Sequence, residues 1–255
     1  DDTPASGVKV EMTPTDHAAA VRITYTDSTS IANVIFDSYS SSGDIKTGGS
    51  ITFDGNSFSA YTDYSVENVA VQSGFNRMYV YGEFVDAVPE SIVNFSDSQG
   101  RPFAVAQFPS STKVLNMKFA TSYISIEQAK KNLQLEISEG ASFDSVLSDA
   151  KALWNEILNT VEVKGASEQE LCRLYSSLYK MFLFPKNYSE NTGTAEQPVF
   201  KYCSPYSGTA DNPVVSEGQL YAGNGFWDTY RTEWPALFLL APEKAGKLLD
   251  GMIQH

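Results

Sequence analysis

Cysteine and histidine are scarce in this chain, which has two of each among 255 residues. His17 and His255 stand near opposite ends of the sequence, and Cys172 and Cys203 lack the Cys-x-x-Cys spacing of zinc-binding motifs. We therefore expect no structural zinc site. The two cysteines either pair across a loop in an oxidising compartment or remain separate thiols, and the sequence leaves both possibilities open.

Basic residues are also few, since 18 Lys and Arg stand against 31 Asp and Glu, for a net charge of −13. Such a surface repels a phosphate backbone, and no Lys/Arg cluster offsets it, which excludes nucleic acid as the main partner. Apolar runs such as 114–120 are short and interrupted, so no membrane span is predicted. The opening residues 1–4 lack the features of a signal peptide, which indicates a leader already removed or a longer parent chain.

Short apolar segments with two-residue alternation fill the first half of the sequence. Val8, Val10 and Met12 alternate with polar residues, as do Val21 and Ile23, and Gly- and Asp-rich turns separate such segments. Further segments of strand length occur at 31–36, 51–53, 66–71, 78–84, 103–108 and 114–123. No helical period lies between them, so we predict an all-β antiparallel sandwich.

The period changes to 3.6 residues from Ser125 onward. Ser125, Ser142 and Ser167 each precede an amphipathic segment, and Gln128 and Glu170 complete possible capping boxes. Helices are predicted from 125 to about 137, from 142 to 158, from 167 to 182, from about 232 to 240 and from 242 onward. The last apolar stripe runs to the final residues without a capping residue, which suggests a truncated chain.

Residues 186–225 show no clear periodicity and are rich in Ser, Gly, Asn, Pro and Tyr. A structureless loop of this length is uncommon in a compact domain, and its aromatic residues argue against a plain disordered linker. We therefore expect a functional loop here.

The densest chemistry follows at Trp227, Asp228 and Arg231, just before the predicted helix at 232. Aromatic faces beside a carboxylate and a guanidinium are suited to a polyhydroxylated ring, which stacks its C–H face and fixes its hydroxyls. The alternative is structural: Asp228 and Arg231 form an ion pair at a helix start, and the tryptophans belong to the core. The pattern alone identifies neither a sugar nor a reaction.

The run Gly-Phe-Trp-Asp-Thr-Tyr-Arg-Thr-Glu-Trp-Pro at 225–235 resembles a segment of glycoside hydrolase family 92, the calcium-dependent α-mannosidases. Residues 122–133, the Trp154-Asn155 pair and residues 178–185 also resemble that family, in the same order. The resemblance implies a β-sandwich over 1–124 that is incomplete at its N-terminus, linker helices over 125–165, and the beginning of an (α/α)6 barrel over 166–255. The active site would lie between sandwich and barrel.

The resemblance further implies exo-hydrolysis of α-mannosides in glycans with inversion, with Ca2+ helping to distort the bound mannose. Trp227 and Asp228 would lie at the terminal mannose subsite, with Asp228 accepting a hydroxyl proton and Arg231 orienting Asp228. A secreted, periplasmic or cell-surface location is implied as well. The general acid, the general base and the calcium ligands of the family come from the barrel beyond His255, so no catalytic or metal-binding residue is expected within this chain, which alone would be inactive.

Two departures from the family bear on these expectations. The N-terminal Asp-Pro-Phe-Ile-Gly segment is missing, and Lys180 stands where many members have His. Glu233 and Asp250 are local carboxylates, but Glu233 fits a dipole-stabilised helix start and Asp250 a solvated position, so neither is assigned a catalytic role.

Two other functions remain open at this point. One is a non-catalytic carbohydrate-binding or adhesion module whose sandwich binds sugar. The other is an (α/α)6 glycosidase of different specificity.

Overall fold

The computed structural model of the protein describes residues 7–26, 31–37, 45–66, 77–96 and 102–253. The first part of the chain forms the strands β1 (Val8–Pro14), β2 (Ala18–Tyr25), β3 (Asn33–Asp37), β4 (Ile45–Asp54), β5 (Ser57–Val66), β6 (Arg77–Phe84), β7 (Ser91–Ser96), β8 (Pro102–Gln107) and β9 (Val114–Ser122). They make a six-stranded antiparallel sheet in the order β1-β2-β9-β6-β5-β4 and a three-stranded antiparallel sheet in the order β3-β8-β7.

The two sheets pack face to face over a shared apolar core. Side chains from both sheets fill it: Val21, Ile23, Phe58, Phe84 and Leu115 of the large sheet, and Ala106, Val34 and Phe36 of the small sheet. Because residues alternate across a strand, one side of each strand supplies this core. The predicted antiparallel β-sandwich is confirmed.

The opposite face of the large sheet is also buried, and small residues of β2 and β9 form it. Ala18, Ala20 and Ala120 contact the apolar stripe of the first helix, which contributes Ala129 and Leu133. Since alanine projects little beyond the backbone, the helix lies close against the sheet. The unbroken Ala-Ala-Ala-Val run of β2 thus reflects a strand buried on both faces.

The second part of the chain contains the helices α1 (Ile126–Glu136), α2 (Phe143–Leu158), α3 (Glu168–Met181), α4 (Phe226–Thr229), α5 (Glu233–Leu240) and α6 (Pro242–Ile253), with the strands β10 (Lys186–Asn187), β11 (Glu190–Asn191), β12 (Phe200–Thr209), β13 (Asn212–Glu217) and β14 (Tyr221–Ala222) between α3 and α4. Among the described residues, no helix is long and apolar enough to cross a membrane.

The predicted helix starts are confirmed, with one difference in the caps. The hydroxyls of Ser125, Ser142 and Ser167 each accept a backbone N–H three residues later. Only Ser167 forms a full capping box, in which the Glu170 side chain accepts the Ser167 N–H. The Gln128 side chain instead donates to Asn132 Oδ1 and to the carbonyl of Asn191. It therefore takes part in the contact between α1 and β11 and does not cap the helix.

The expectation of an irregular loop over 186–225 is wrong. β12 and β13 form an antiparallel hairpin in this stretch, and β10 pairs with β14. The register of the hairpin shifts between Cys203 and Gly208, which breaks the two-residue period in the sequence. At its tip, Asp211 forms an ion pair with Arg77 of the sandwich, with Nη1 and Oδ1 3.0 Å apart.

Two strands of the sandwich, β5 and β7, were not among the segments predicted from the sequence. On the apolar side of the alternation in β5, Ala60 and Thr62 are small or polar, and in β7 Asn94 and Ser96 follow Ile92 at the alternate positions, so both apolar patterns are weak. The strand predicted over 66–71 lies outside the described residues except for Val66, the last residue of β5.

A buried carboxylate joins the sandwich, α1 and β11. Glu190 of β11 is 1% exposed and accepts hydrogen bonds from the backbone N–H of Tyr123 and from Asn132 Nδ2, both at 2.8 Å. The Asn132 amide also donates to the carbonyl of Thr121 in β9. Burial raises the pKa of Glu190, although these donors and Ser122 oppose the rise. One carboxyl group thereby holds three elements together.

A second polar contact binds the turn between β1 and β2 to the end of α1. The Glu136 carboxylate accepts from Thr15 Oγ1 at 2.6 Å and from the backbone N–H groups of His17 and Ala18 at 2.7 and 3.1 Å. His17 Nδ1 lies 2.6 Å from Glu136 Oε1. Burial lowers the pKa of His17, but Glu136 outweighs that effect, so the pKa is raised.

The pKa of Glu136 moves in the opposite direction. Burial raises it, but the hydrogen bonds from His17 and Thr15 outweigh burial, so it is lowered. His17 therefore stabilises the fold fully when the pH is below 6.5, the ordinary pKa of histidine. This contribution disappears as the pH rises through the raised pKa of His17 in the folded chain. Glu136 stabilises the fold fully when the pH is above 4.5, the ordinary pKa of glutamate. This contribution disappears as the pH falls through the lowered pKa of Glu136 in the folded chain.

We expect His17→Asn to destabilise the chain most between pH 4.5 and 6.5, the window bounded by the two ordinary pKa values. The difference in unfolding free energy from the unsubstituted chain should shrink on either side, because one partner of the pair then loses its charge. Urea unfolding measured across the pH range checks this. Glu139→Gln, which alters an exposed carboxylate near the same helix end, is the control, and parallel stability curves for His17→Asn and the unsubstituted chain would contradict the prediction.

Candidate functional site

The candidate site is the turn from Gly223 to Trp234, which connects β14 to α5 through the single-turn helix α4. Gly223 has a φ of +86°, a left-handed conformation that favours glycine and turns the chain out of β14. The predicted helix at 232–240 is confirmed as α5. The separate helix α4 was not predicted, because four residues are too few for a periodic signal.

The side chain of Asn224 holds this turn together. Its Oδ1 accepts from Thr229 Oγ1 at 2.8 Å and from Trp234 Nε1 at 3.2 Å. Its Nδ2 donates to Glu233 Oε1 at 3.1 Å. One amide thus connects α4 with the start of α5. The sequence alone does not single out Asn224, since an Asn between two glycines is typical of an ordinary turn.

Aromatic packing anchors the same turn to the helices. Trp234 is 6% exposed and stacks on Phe226, with ring centroids 5.8 Å apart and an angle of 8° between the rings. Trp234 shares an apolar cluster with Leu237 of α5, Leu248 of α6 and Phe182 at the end of α3. The structural alternative for the tryptophans is therefore right for Trp234.

Trp227 differs from Trp234, because 88% of it is exposed. Asp228 and Arg231 are exposed as well, and the guanidinium of Arg231 lies 5.0 Å from the centre of the Tyr230 ring. Within the described part of the chain, no ion pair joins Asp228 to Arg231. The alternative of an ion pair at the helix start is thus wrong, and in this structure Arg231 does not orient Asp228. The role of these three residues in binding substrate stays a prediction.

The Asp228 carboxylate lies against the backbone of Gly225. A Cβ atom at position 225 would stand 3.3 Å from Asp228 Oδ2, a tight contact. The backbone of Asp228 is fixed on both sides, since its N–H donates to the carbonyl of Gly225 and its own carbonyl accepts from Thr232 Oγ1, each at 3.0 Å. The turn therefore presents an exposed carboxylate beside an exposed indole on a backbone held by hydrogen bonds.

The two other carboxylates of this region are placed differently. Glu233 is half-buried, and burial raises its pKa while the hydrogen bond from Asn224 opposes the rise. Asp250 is exposed on α6. Glu233 lies in the first turn of α5, as expected of a helix-start carboxylate.

Cysteines and potential metal ligands do not add a further centre in the described ranges. Cys172 is exposed, Cys203 is buried, and the two are not bonded to each other, so they are separate thiols. Burial raises the pKa of the Cys203 thiol to about 11. In the part of the chain that the structure describes, no group of three His, Cys, Asp or Glu side chains is placed to hold a metal ion.

Comparison with known proteins identifies the family. Residues 128–255, half of the chain, match the glycosyl hydrolase family 92 catalytic domain. The chain belongs to this family. No curated protein sequence matches it significantly.

Solved structures of family 92 share the fold. The inverting mannosidase BT2199 from Bacteroides thetaiotaomicron VPI-5482 is similar over 98% of this chain, with 26% identity and a TM-score of 0.84. The α-mannosidase BT3965 from Bacteroides thetaiotaomicron, solved with mannoimidazole, is similar over 98%, with 17% identity and a TM-score of 0.76. The family 92 hydrolase ccman5 is similar over 97%, with 17% identity and a TM-score of 0.76.

These similarities place the chain in a larger architecture. It spans 33% of the length of BT2199, 33% of BT3965 and 32% of ccman5. The matching part is the N-terminal β-sandwich of family 92 followed by the helical start of the barrel, as the sequence predicts.

The different environments of the two tryptophans predict different effects on stability. Trp234→Ala should lower the unfolding free energy by about 3–5 kcal/mol, because it empties a buried, stacked position. Trp227→Ala should change it by less than about 0.5 kcal/mol, because the indole is exposed. Urea unfolding of the two variants checks this, and equal losses would show that Trp227 is a structural residue.

Proposed function

We propose that this chain is part of an enzyme that removes terminal mannose from α-mannosides of glycans by hydrolysis with inversion. The observation that carries the proposal is the turn at 224–234. There an exposed Trp227 lies next to the exposed Asp228 carboxylate, on a backbone that hydrogen bonds hold in place. This turn lies inside the region that matches the family 92 catalytic domain. The similar structure BT2199 is an inverting mannosidase, which supports hydrolysis with inversion as the reaction.

Each residue has a distinct part in this proposal. The exposed indole of Trp227 stacks on the apolar C–H face of the terminal mannose, and the Asp228 carboxylate accepts a hydrogen bond from a sugar hydroxyl. Arg231 lies over Tyr230 and supplies a cationic donor at the edge of the same surface. Together they bind and orient the sugar but move no proton to the leaving group.

Inversion requires two further carboxyl groups. One protonates the leaving oxygen and the other activates a water on the opposite face of the sugar, at a separation of roughly 6.5–9.5 Å. We assign neither role to Glu233 or Asp250, since Glu233 is engaged by Asn224 and Asp250 is an exposed residue of α6. The acid and base are proposed to come from the two thirds of the mannosidase chains that have no counterpart here.

Calcium dependence is a separate part of the proposal. Among the described residues, no group of three Asp, Glu, His or Cys side chains is placed to hold a metal ion, so no carboxylate cluster there is suited to Ca2+. We therefore place no calcium ligand on these residues. A secreted, periplasmic or cell-surface location is proposed together with the glycan substrate.

One observation favours a glycan-binding module without catalysis as the second candidate. Phe95 of β7 stacks on Phe103 of β8 with ring centroids 5.0 Å apart, and Phe95 is exposed on the outer face of the small sheet. Exposed aromatic faces on a sandwich can hold sugar rings. The two candidates therefore differ in which aromatic residue contacts the glycan.

In the complete enzyme, Asp228→Ala should lower kcat/KM for an α-mannoside by about 100-fold. The reason is that a charged hydrogen bond to a sugar hydroxyl contributes about 1.5–3 kcal/mol to binding in the transition state. Steady-state kinetics check this. Asp250→Ala, which removes an exposed carboxylate of α6, is the matched control and should leave kcat/KM unchanged.

Unchanged kinetics in Asp228→Ala would remove Asp228 from the proposed site. Binding of mannan by the 255-residue chain that is lost in Phe95→Ala but retained in Trp227→Ala would favour the glycan-binding module instead.

Calcium is expected to leave the unfolding temperature of the 255-residue chain unchanged, because a ligand stabilises a fold only when the folded residues bind it. Thermal unfolding in calcium chloride and in EDTA checks this. In the complete enzyme, EDTA should abolish mannose release and added calcium should restore it. A calcium-dependent rise in the unfolding temperature of this chain would place a site on its own residues.

A further inference from the structure

The Asn224 side chain uses both the oxygen and the nitrogen of its amide for hydrogen bonds within the candidate site. Its oxygen has two acceptor positions, and Thr229 Oγ1 and Trp234 Nε1 occupy them. Its nitrogen donates to Glu233 Oε1. These partners lie at residues 229, 233 and 234, so one short side chain connects the start of the turn to its middle and its end.

The residues that Asn224 binds follow Asp228 closely in the sequence, and Asn224 itself precedes it by four residues. Thr229 follows Asp228 directly, and its one hydroxyl proton is shared between Asn224 Oδ1 and the carbonyl of Gly225, whose Cα faces the Asp228 carboxylate. Thr232, which precedes the two other partners, donates to the Asp228 carbonyl. Removing the Asn224 amide leaves Thr229 Oγ1, Trp234 Nε1 and Glu233 Oε1 without this partner, so the segment that follows Asp228 loses its connection to the start of the turn while Asp228 itself remains intact.

We propose that Asn224 is a positioning residue for the sugar-binding turn, acting on substrate through the placement of Asp228. The inference rests on the proposed function, because it needs Asp228 to contact the mannose ring. Asn224 itself is half-buried and engaged by three protein groups, so it is not a direct ligand of the sugar. Its effect on catalysis therefore passes through the residues that it holds.

The first test compares Asn224→Ala with the unsubstituted complete enzyme. We expect kcat/KM for an α-mannoside to fall by about 100-fold, since displacement of a positioning group by about 1 Å can have an effect of that size. Asn212→Ala, an exposed asparagine at the β12–β13 turn, is the matched control and should leave kcat/KM unchanged. Unfolding measurements establish that the Asn224 variant is folded at the assay temperature.

The second test is a double-mutant cycle that separates positioning from a general loss of structure. If Asn224 acts through Asp228, Asn224→Ala should lower kcat/KM by no more than about twofold in an enzyme that already carries Asp228→Ala. Losses that multiply in the double variant would overturn the inference, because they would mean that Asn224 acts independently of Asp228.

The third test uses Asn224→Asp, which keeps an oxygen to accept from Thr229 and Trp234 but places a second carboxyl against Glu233. Two adjacent carboxyls cannot both ionise readily, so at acidic pH a shared proton replaces the lost amide donor. Asp228 and Arg231 are the other charged groups of the turn, and both are exposed. We expect kcat/KM relative to the unsubstituted enzyme to fall as the pH rises.

A ratio that stays constant with pH in Asn224→Asp would contradict the proposed link to Glu233. The outcome for Asp228→Ala separates the two proposals. If that variant retains full activity, the proposed sugar site fails. If it loses activity while Asn224→Ala does not, the sugar site stands and only the positioning role of Asn224 is wrong.

Discussion

The structure depends on a buried carboxylate at the point where three elements meet. Glu190 is almost fully enclosed, and donors from the end of the sandwich and from α1 surround it. A buried carboxyl without such donors would be strongly destabilising, so these elements must come together in one arrangement. The contact between Glu136 and the β1–β2 turn fixes the other end of α1 to the same sheet. Sandwich and helix are thereby held at two points.

The candidate site is connected to this junction through a short path of backbone. Ser189, next to Glu190, accepts the N–H of Leu220 at 2.6 Å, and Leu220 leads into β14 and then to Asn224. On the other side of β14, α6 packs so closely that a Cβ at Gly251 would lie 2.4 Å from the Tyr221 ring. These two contacts hold β14 from both sides, and with it the start of the turn at 223–234.

Sequence patterns predicted the elements of the fold better than their surroundings. The serine caps located α1, α2 and α3 because a cap is a local hydrogen bond between neighbouring residues. The alternation in β1 indicated a strand, yet Val10 and Met12 are 64% and 62% exposed, since which face is buried depends on what packs there. The β12–β13 hairpin escaped prediction because its register shift interrupts the alternation.

The sequence by itself determined the class of fold, the helix starts and the segment that contains Trp227, Asp228 and Arg231, because these follow from local periodicity and from a recognisable run of residues. Only the tertiary structure decided that Trp234 is core while Trp227 is exposed, that Asp228 and Arg231 do not pair, and that Asn224 links the turn. Such distinctions depend on contacts that form only when the helices pack, as α5 and α6 do around Trp234. A sequence pattern gives the order of residues but not the distances between their side chains.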